Sequence, residues 1–270
     1  MKIGFIGTGN MANAIIRGII TKGFIEAEQL YLTDLDQEKA KKLAESIGSH
    51  FSKTNQELIS SVDMVVLAVK PNVMEAVLEE AKKTILDNKP TLVSIAAGTP
   101  TDKLYRFIDA DDEVPIIRVM PNVNVLVGKG ATAVCGHDFA SEEQIDYVVN
   151  LFQSVGEAWR LPEEDFSNFT ALAGSSPAYA YLFIDSLARA GVKHGLPKNI
   201  ATEMAAQAVL GSAEMILNSD ENPWTLIDQV SSPGGITVEG LLTLEDQGFS
   251  SAVVKAIDAS IAKDQKLNDE

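Results

Sequence analysis

Gly7-Thr8-Gly9-Asn10-Met11-Ala12 reads G-x-G-x-x-A, set between the apolar run "KIGFIG" and the helical stretch "NMANAIIRGIITKG". In such a loop the first glycine permits a tight turn and the second lets a pyrophosphate approach the backbone. The small Ala12 lets helix and strand pack closely. Free amides at the helix start then hold the anion without a charged side chain. Asp34 ends the next apolar run, "QLYLTD". An acid there takes ribose hydroxyls and repels a 2′-phosphate. Asp36 is equally suited to cap the following helix, and either aspartate can simply face water. "LAVKP" (67–71) ends a third apolar run, at the sheet edge where ligands sit. Its Lys70 fits a general acid or a cofactor contact, and equally a helix entry with Pro71 in the first turn. "RVMPN" (118–122) repeats strand, proline and polar residue, which suggests a loop across a cofactor's face. Far along the chain, "VSSPGGIT" (230–237) interrupts a helical region. Its glycines free the backbone, Pro233 shapes a turn, and its serines and threonine offer hydroxyls. Consecutive amides there make an anion cradle. The same residues also suit an elaborate N-cap for a helix beginning near Thr237.

These residues need a frame. Up to residue 161, strand-like runs alternate with helical ones: "KIGFIG", "QLYLTD", "VDMVVLAV", "TLVSIAA", "VPIIRVM", "ATAVCG" and "EAWRL" are the strands. Gly23 suits a helix C-terminus, and Ser141 with Gln144 has capping-box spacing. The fold class is α/β, an N-terminal Rossmann-type, doubly wound and mostly parallel sheet. After residue 161 the pattern is helical throughout, so an all-helical domain follows. The expected domains are 1–161, dinucleotide-binding, and 162–270, helical. The stretch "PAYAYLFIDSLARAG" is apolar almost all round, with Ala178, Tyr181, Leu182, Phe183, Ile184, Leu187 and Ala188. Such a helix must be enclosed on every side. A second copy of the chain encloses it more easily than one small domain does.

Composition limits the partners. The chain has 270 residues, 46% hydrophobic, with a net charge of −16. Such a surface repels phosphate backbones and anionic lipid, so neither nucleic acid nor membrane is an expected partner. With Cys135 alone, no intrachain disulfide forms, and it reads as a small hydrophobe. His50, His137 and His194 lack ligand spacing, so no metal is expected. The opening apolar run is too short for a signal segment and no run reaches transmembrane length. The expected location is cytoplasmic.

Together "GFIGTGNMA", "LAVKP", "RVMPN", "GSSPAY", "AGVKHGLP" and "VSSPGGITVEGLLTLE" resemble the pyrroline-5-carboxylate reductases, in order and spacing, over essentially the whole chain. The resemblance implies reduction of the cyclic imine of L-1-pyrroline-5-carboxylate to L-proline, the last step of proline biosynthesis, with hydride from NADPH or NADH. It also implies a homodimer through the helical domain, each site lined by both chains, and leaves open whether dimers assemble further. Carried over by position, Gly7, Thr8, Gly9, Asn10 and Met11 fall on the pyrophosphate loop and Asn55 on the adenosine side. Ala68, Lys70 and Pro71 fall on the cofactor-lining strand end, and Met120, Pro121 and Asn122 near the nicotinamide. Val230, Ser231, Ser232, Gly234 and Gly235 fall on the substrate cradle, and Thr237 beside the imine nitrogen as the catalytic hydroxyl. Three positions depart from the pattern: Ser176 for glycine, Gln229 for asparagine, and Asp34 for a small or basic residue. Asp34 pulls toward NADH and the resemblance toward NADPH, so both NADP and NAD are expected cofactors. Rival readings are another imine or 3-hydroxyacid oxidoreductase, or a dinucleotide-binding sensor without turnover. The long helix lacks the lysine that the 3-hydroxyacid enzymes use, its first being Lys193.

Overall fold

The computed structural model describes residues 1–108 and 113–269. The apolar runs form β1 (Ile3–Ile6), β2 (Leu30–Thr33), β3 (His50–Phe51), β4 (Met64–Leu67), β5 (Thr91–Ser94), β6 (Ile116–Pro121), β7 (Gly130–Gly136) and β8 (Gly156–Arg160). They make one sheet in the order β3-β2-β1-β4-β5-β6-β7-β8. Helices α1 (Asn10–Thr21), α2 (Gln37–Ile47), α3 (Asn55–Ile59), α4 (Pro71–Asn88), α5 (Thr101–Ile108) and α6 (Glu142–Gln153) lie between the strands in sequence. β1, β4 and β5 are buried along their whole length. Strands covered on both faces need apolar residues at every position, which is why they read as unbroken runs. One core gathers Ile15, Ile16 and Ile19 of α1 with Val148 and Phe152 of α6. The other gathers Leu58 of α3, Leu78 and Ile85 of α4 and Leu104 of α5.

The sheet is parallel except at β6–β7, which pair antiparallel. The segment joining them, including a 3-10 turn at Val123–Val127, is too short for a parallel crossover. The expected caps form. Ser141 and Gln144 close a capping box, the Asp36 carboxylate accepts from the Lys39 amide, and Gly23 is left-handed just past α1. β3 and α3 carry too few residues for a readable period and escape sequence reasoning.

Two compact units result: Met1–Gly174 with Ile261–Glu270, and Ser175–Ser260. The first unit extends past the change of pattern at residue 161, and Phe166, Ser167 and Phe169 are buried in it. The Glu163 carboxylate accepts from Arg118 Nη1 at 3.0 Å, from the Thr101 amide at 2.8 Å and from Thr101 Oγ1 at 2.6 Å. The buried Arg118 guanidinium also lies over the Phe166 ring, 4.5 Å from its centroid. Phe166 belongs to α7 (Phe166–Phe169), which a π-helical segment, Thr170–Ser175, continues. Beside Glu163, burial pushes the Cys135 thiol pKa up, which suits a packed rather than a reactive group.

In the second unit, α8 (Ser176–Lys193), α9 (Lys198–Leu217), α10 (Pro223–Val230) and α11 (Ile236–Asp246) precede α12 (Phe249–Asp269), whose end returns to the first unit. The Ser167 hydroxyl donates to Asp264 Oδ2 at 2.8 Å there. Within the second unit the buried described residues are Pro177, Ala188, Ala201 and Ala205. A Cβ on Gly191 would stand 3.2 Å from the Ala201 methyl. So α8 and α9 meet through small residues, while Tyr181, Leu182, Phe183, Leu187, Met204 and Leu210 are exposed.

Truncating Glu163 would leave the Arg118 guanidinium buried without its partner. Glu163→Ala is expected to lower stability by about 3–5 kcal/mol, read by urea unfolding. A change below about 1 kcal/mol would show that the pair is not what holds residues 163–169 in the first unit.

Candidate functional site

A cleft of about 540 Å³ opens in the first unit beyond the ends of β1 and β4, at the reversal of strand order. Open parallel sheets bind ligands at that point. Gly7 follows β1 with φ +99°, and a Cβ there would stand 2.6 Å from the Ala68 carbonyl oxygen. The site excludes any side chain on both counts. Gly9 is different. No atom lies within 4 Å of where its Cβ would be, and it lines the cleft as the N-cap of α1. Nothing within the chain requires a glycine there, whereas a ligand approaching the backbone does. Ala12 is buried against the core, as its place in the motif requires.

Thr8 is buried and turned toward Asp34. Asp34 Oδ2 accepts from the Thr8 amide at 2.6 Å and the Thr8 hydroxyl at 2.9 Å, and Oδ1 accepts from the Asp36 amide at 3.0 Å. Burial alone would raise the Asp34 pKa. The Thr8 and Asp36 amides, the Thr8 hydroxyl and the Lys39 ammonium outweigh burial and hold it below the ordinary carboxylate value. Lys39 and Lys53 line the same cleft. Sequence reasoning passed over both lysines. Both follow Asp34 within twenty residues, as cations near an acid that would share its cleft with an anion.

The cleft thus gathers Gly7, Gly9, Asp34, Asn55, Ala68 and Lys70. Asn55 opens α3 beside Thr54, whose side chain caps the helix. Lys70 is the N-cap of α4, with Pro71 in its first turn. The cleft lining does not include Met11, Met120, Pro121 or Asn122, and Asn10 lines a separate cavity beside the 3-10 turn. Met120 and Pro121 end β6, and Asn122, 5% exposed, caps the 3-10 turn.

In the second unit, Ser231, Ser232, Gly234 and Gly235 form the turn between α10 and α11. The Gly235 amide donates to the Ser232 carbonyl at 2.9 Å. Pro233 followed by Gly234 at φ +70° makes this a type II turn. Val230 ends α10. Gly235 is the N-cap of α11 and makes no side-chain cap, so the amides of the first turn are not met by a capping side chain. Thr237, in that first turn, is exposed. The Ser231 Oγ is buried and has no hydrogen-bond partner among the described residues.

Residues 163–267 match the family described as pyrroline-5-carboxylate reductase dimerisation, and residues 2–98 match NADP oxidoreductase, coenzyme F420-dependent. A pyrroline-5-carboxylate reductase of Escherichia coli K12 is 40% identical over 268 residues, 99% of this chain and 98% of its own. The chain belongs to the pyrroline-5-carboxylate reductase family. The 1-pyrroline-5-carboxylate reductase of Streptococcus pyogenes has a similar crystal structure, with a TM-score of 0.86 at 40% identity over 98% of each chain. The Plasmodium falciparum pyrroline carboxylate reductase, solved with NADP bound, gives 0.87 at 34% identity over 99% of this chain and 98% of that one.

The contact of Asp34 with Thr8 has a pH signature. A carboxyl with a lowered folded pKa adds stability that is full above its unfolded value, about 3.9, and is lost as pH falls through the folded value. The stability difference between the natural chain and Asp34→Asn should therefore widen as pH rises to about 4 and stay level to about 8. Urea unfolding across that range checks this. A difference independent of pH would remove the ionic contact to Thr8.

Proposed function

We propose that this chain reduces L-1-pyrroline-5-carboxylate to L-proline, the final step of proline biosynthesis, using NADPH or NADH. The turn at 230–237 carries the reading. The buried, unpartnered Ser231 Oγ and the uncapped start of α11 form a donor set with nothing of this chain's own to bind. A small carboxylate suits such donors. Val230, Ser231, Ser232, Gly234 and Gly235 hold that carboxylate, and Thr237 hydrogen-bonds the ring nitrogen.

The first unit would hold the dinucleotide. Gly7, Thr8, Gly9, Asn10 and Met11 surround its pyrophosphate, with Asp34 and Asn55 at the adenosine end. Ala68, Lys70 and Pro71 line the strand end, and Met120, Pro121 and the backbone of Asn122 flank the nicotinamide. Gly9 supports this through the open space above it. Asp34 spends one carboxylate oxygen on Thr8, and Lys39 and Lys53 share its cleft. Its repulsion of a 2′-phosphate is thereby reduced, which favours use of both cofactors.

When bound, the reduced nicotinamide would supply a hydride to the ring carbon of the C=N bond. With the ring nitrogen protonated from water beforehand, the C=N electron pair falls to that nitrogen as the hydride arrives, leaving a neutral secondary amine. Thr237 orients that nitrogen and holds the proton near it. A hydroxyl is a weak acid, so its part is alignment more than acid strength. The working division is a cofactor domain, 1–161, and a substrate and dimerisation domain, 162–270. No helix among the described residues is long and apolar enough to cross a membrane. We place the protein in the cytoplasm, as a homodimer through the helical domain that can assemble further.

The assay is direct. The protein with pyrroline-5-carboxylate and NADPH or NADH should consume the reduced nicotinamide, followed by its absorbance. Thr237→Ala should lower kcat by about 10- to 100-fold, the worth of one hydrogen bond to a charged group. Undiminished turnover would end the role given to Thr237. For assembly, Leu182 is 67% exposed, so a charge there tests a neighbour rather than the chain's own core. Leu182→Asp should lose both dimer mass in ultracentrifugation and turnover. A fully active monomer would sink the shared site.

A further inference from the structure

The Asn122 side chain is 5% exposed, and its hydrogen bonds run to this chain. Oδ1 accepts from the Ala131 amide at 3.0 Å and from the Asn124 amide at 3.2 Å. Nδ2 donates to the Ala173 carbonyl at 2.9 Å. Two amides facing one end and a carbonyl facing the other fix the orientation of the group. The Asn122 amide also donates to the Ala131 carbonyl at 3.1 Å. With Pro121 opposite Thr132, the Asn122 side chain thus extends the β6–β7 ladder one step beyond a residue that has no N–H to give.

The third bond meets a second shortage. In an α-helix the Ala173 carbonyl would accept from the nitrogen four residues on, which belongs to Pro177 and bears no hydrogen. The backbone there is π-helical, Thr170–Ser175, a form that occurs in single turns and often at functional sites. Met120 touches the same segment. A Cβ on Gly174 would stand 3.3 Å from the Met120 Cε.

We propose that Asn122 is a positioning residue that supplies the donor Pro177 lacks and so locks the end of β6 to the π-helical segment. The lock keeps Met120 and Pro121 in place for the nicotinamide, and in that respect it rests on the reductase reading. Its side chain does not need to touch the cofactor.

Asn122→Asp isolates the third bond. The acceptor oxygen stays, and the donor becomes a second oxygen against the Ala173 carbonyl. Ionised, that carboxylate repels the carbonyl. The variant's kcat should be about tenfold below the natural enzyme at pH 8, with KM for the dinucleotide unchanged. Amide exchange of residues 170–175, followed by mass spectrometry as protection relative to the natural chain, should show that protection fall in the variant. If the natural chain does not reduce the imine, the reductase reading fails and exchange alone judges the lock. Natural-like protection of 170–175 in the variant at pH 8 overturns the lock, whatever the turnover. Should Asn122→Asp not fold, Asn122→Ser, which cannot reach Ala173, should lose the same protection. Retained protection there overturns the lock too.

Discussion

Gly7 leaves no room for a β-carbon, and the site is arranged around that contact. Its backbone lies against the Ala68 carbonyl at a φ no other residue adopts without strain. The turns after β1 and β4 can therefore approach backbone to backbone. Thr8 is buried and turned so that both its donors reach Asp34 at the end of β2. Three strand ends, β1, β2 and β4, are thus tied at the point where strand order reverses. The cleft is the space left outside them, and Gly9 faces it with nothing of the chain's own overhead. Any side chain at position 7 would separate the turns and dissolve the cleft rather than narrow it.

Sequence legibility followed the range over which each cause acts. The alternation of strand and helix, the capping box at Ser141 and the glycine loop are local, and each was readable. What residues 34 and 36 do was not. The sequence offered two aspartates and one cap. The structure gives the cap to Asp36 and turns Asp34 to Thr8, a partner 26 residues away. Composition cannot assign such a pairing. The same holds for Glu163. Its partner Arg118 is 45 residues distant, so residues that read as the start of a helical domain are packed in the first unit. The Asn122 side chain bonds the 3-10 turn, β7 and residue 173, contacts that its place after Pro121 does not reveal.

Proline sets much of this geometry by what it withholds. Pro71, Pro177 and Pro223 each stand in the first turn of a helix, where a missing N–H costs little. At Pro177 the loss passes back to Ala173, where the ordinary helical bond cannot form. The side-chain amide of Asn122, just past the end of β6, donates to that carbonyl. Pro233 acts in the opposite sense, fixing a type II turn so that Gly234 and Gly235 present the start of α11 without a capping side chain.

The second unit inverts the usual rule of burial. Pro177 and alanines are its buried residues, while Tyr181, Leu182, Phe183 and Leu187 face out. Small residues let α8 and α9 lie close and leave these large apolar groups exposed. A surface of that kind marks an interaction site. Thr237 and Ile236 share the exposure, Ile236 at 95%. A hydride acceptor held by Thr237 in a lone chain would stand in water, where competing protonation and hydration go unchecked. On the proposed reading, what covers these helices has also to close the site, a double demand that a second copy of the same chain would meet with the same apolar face.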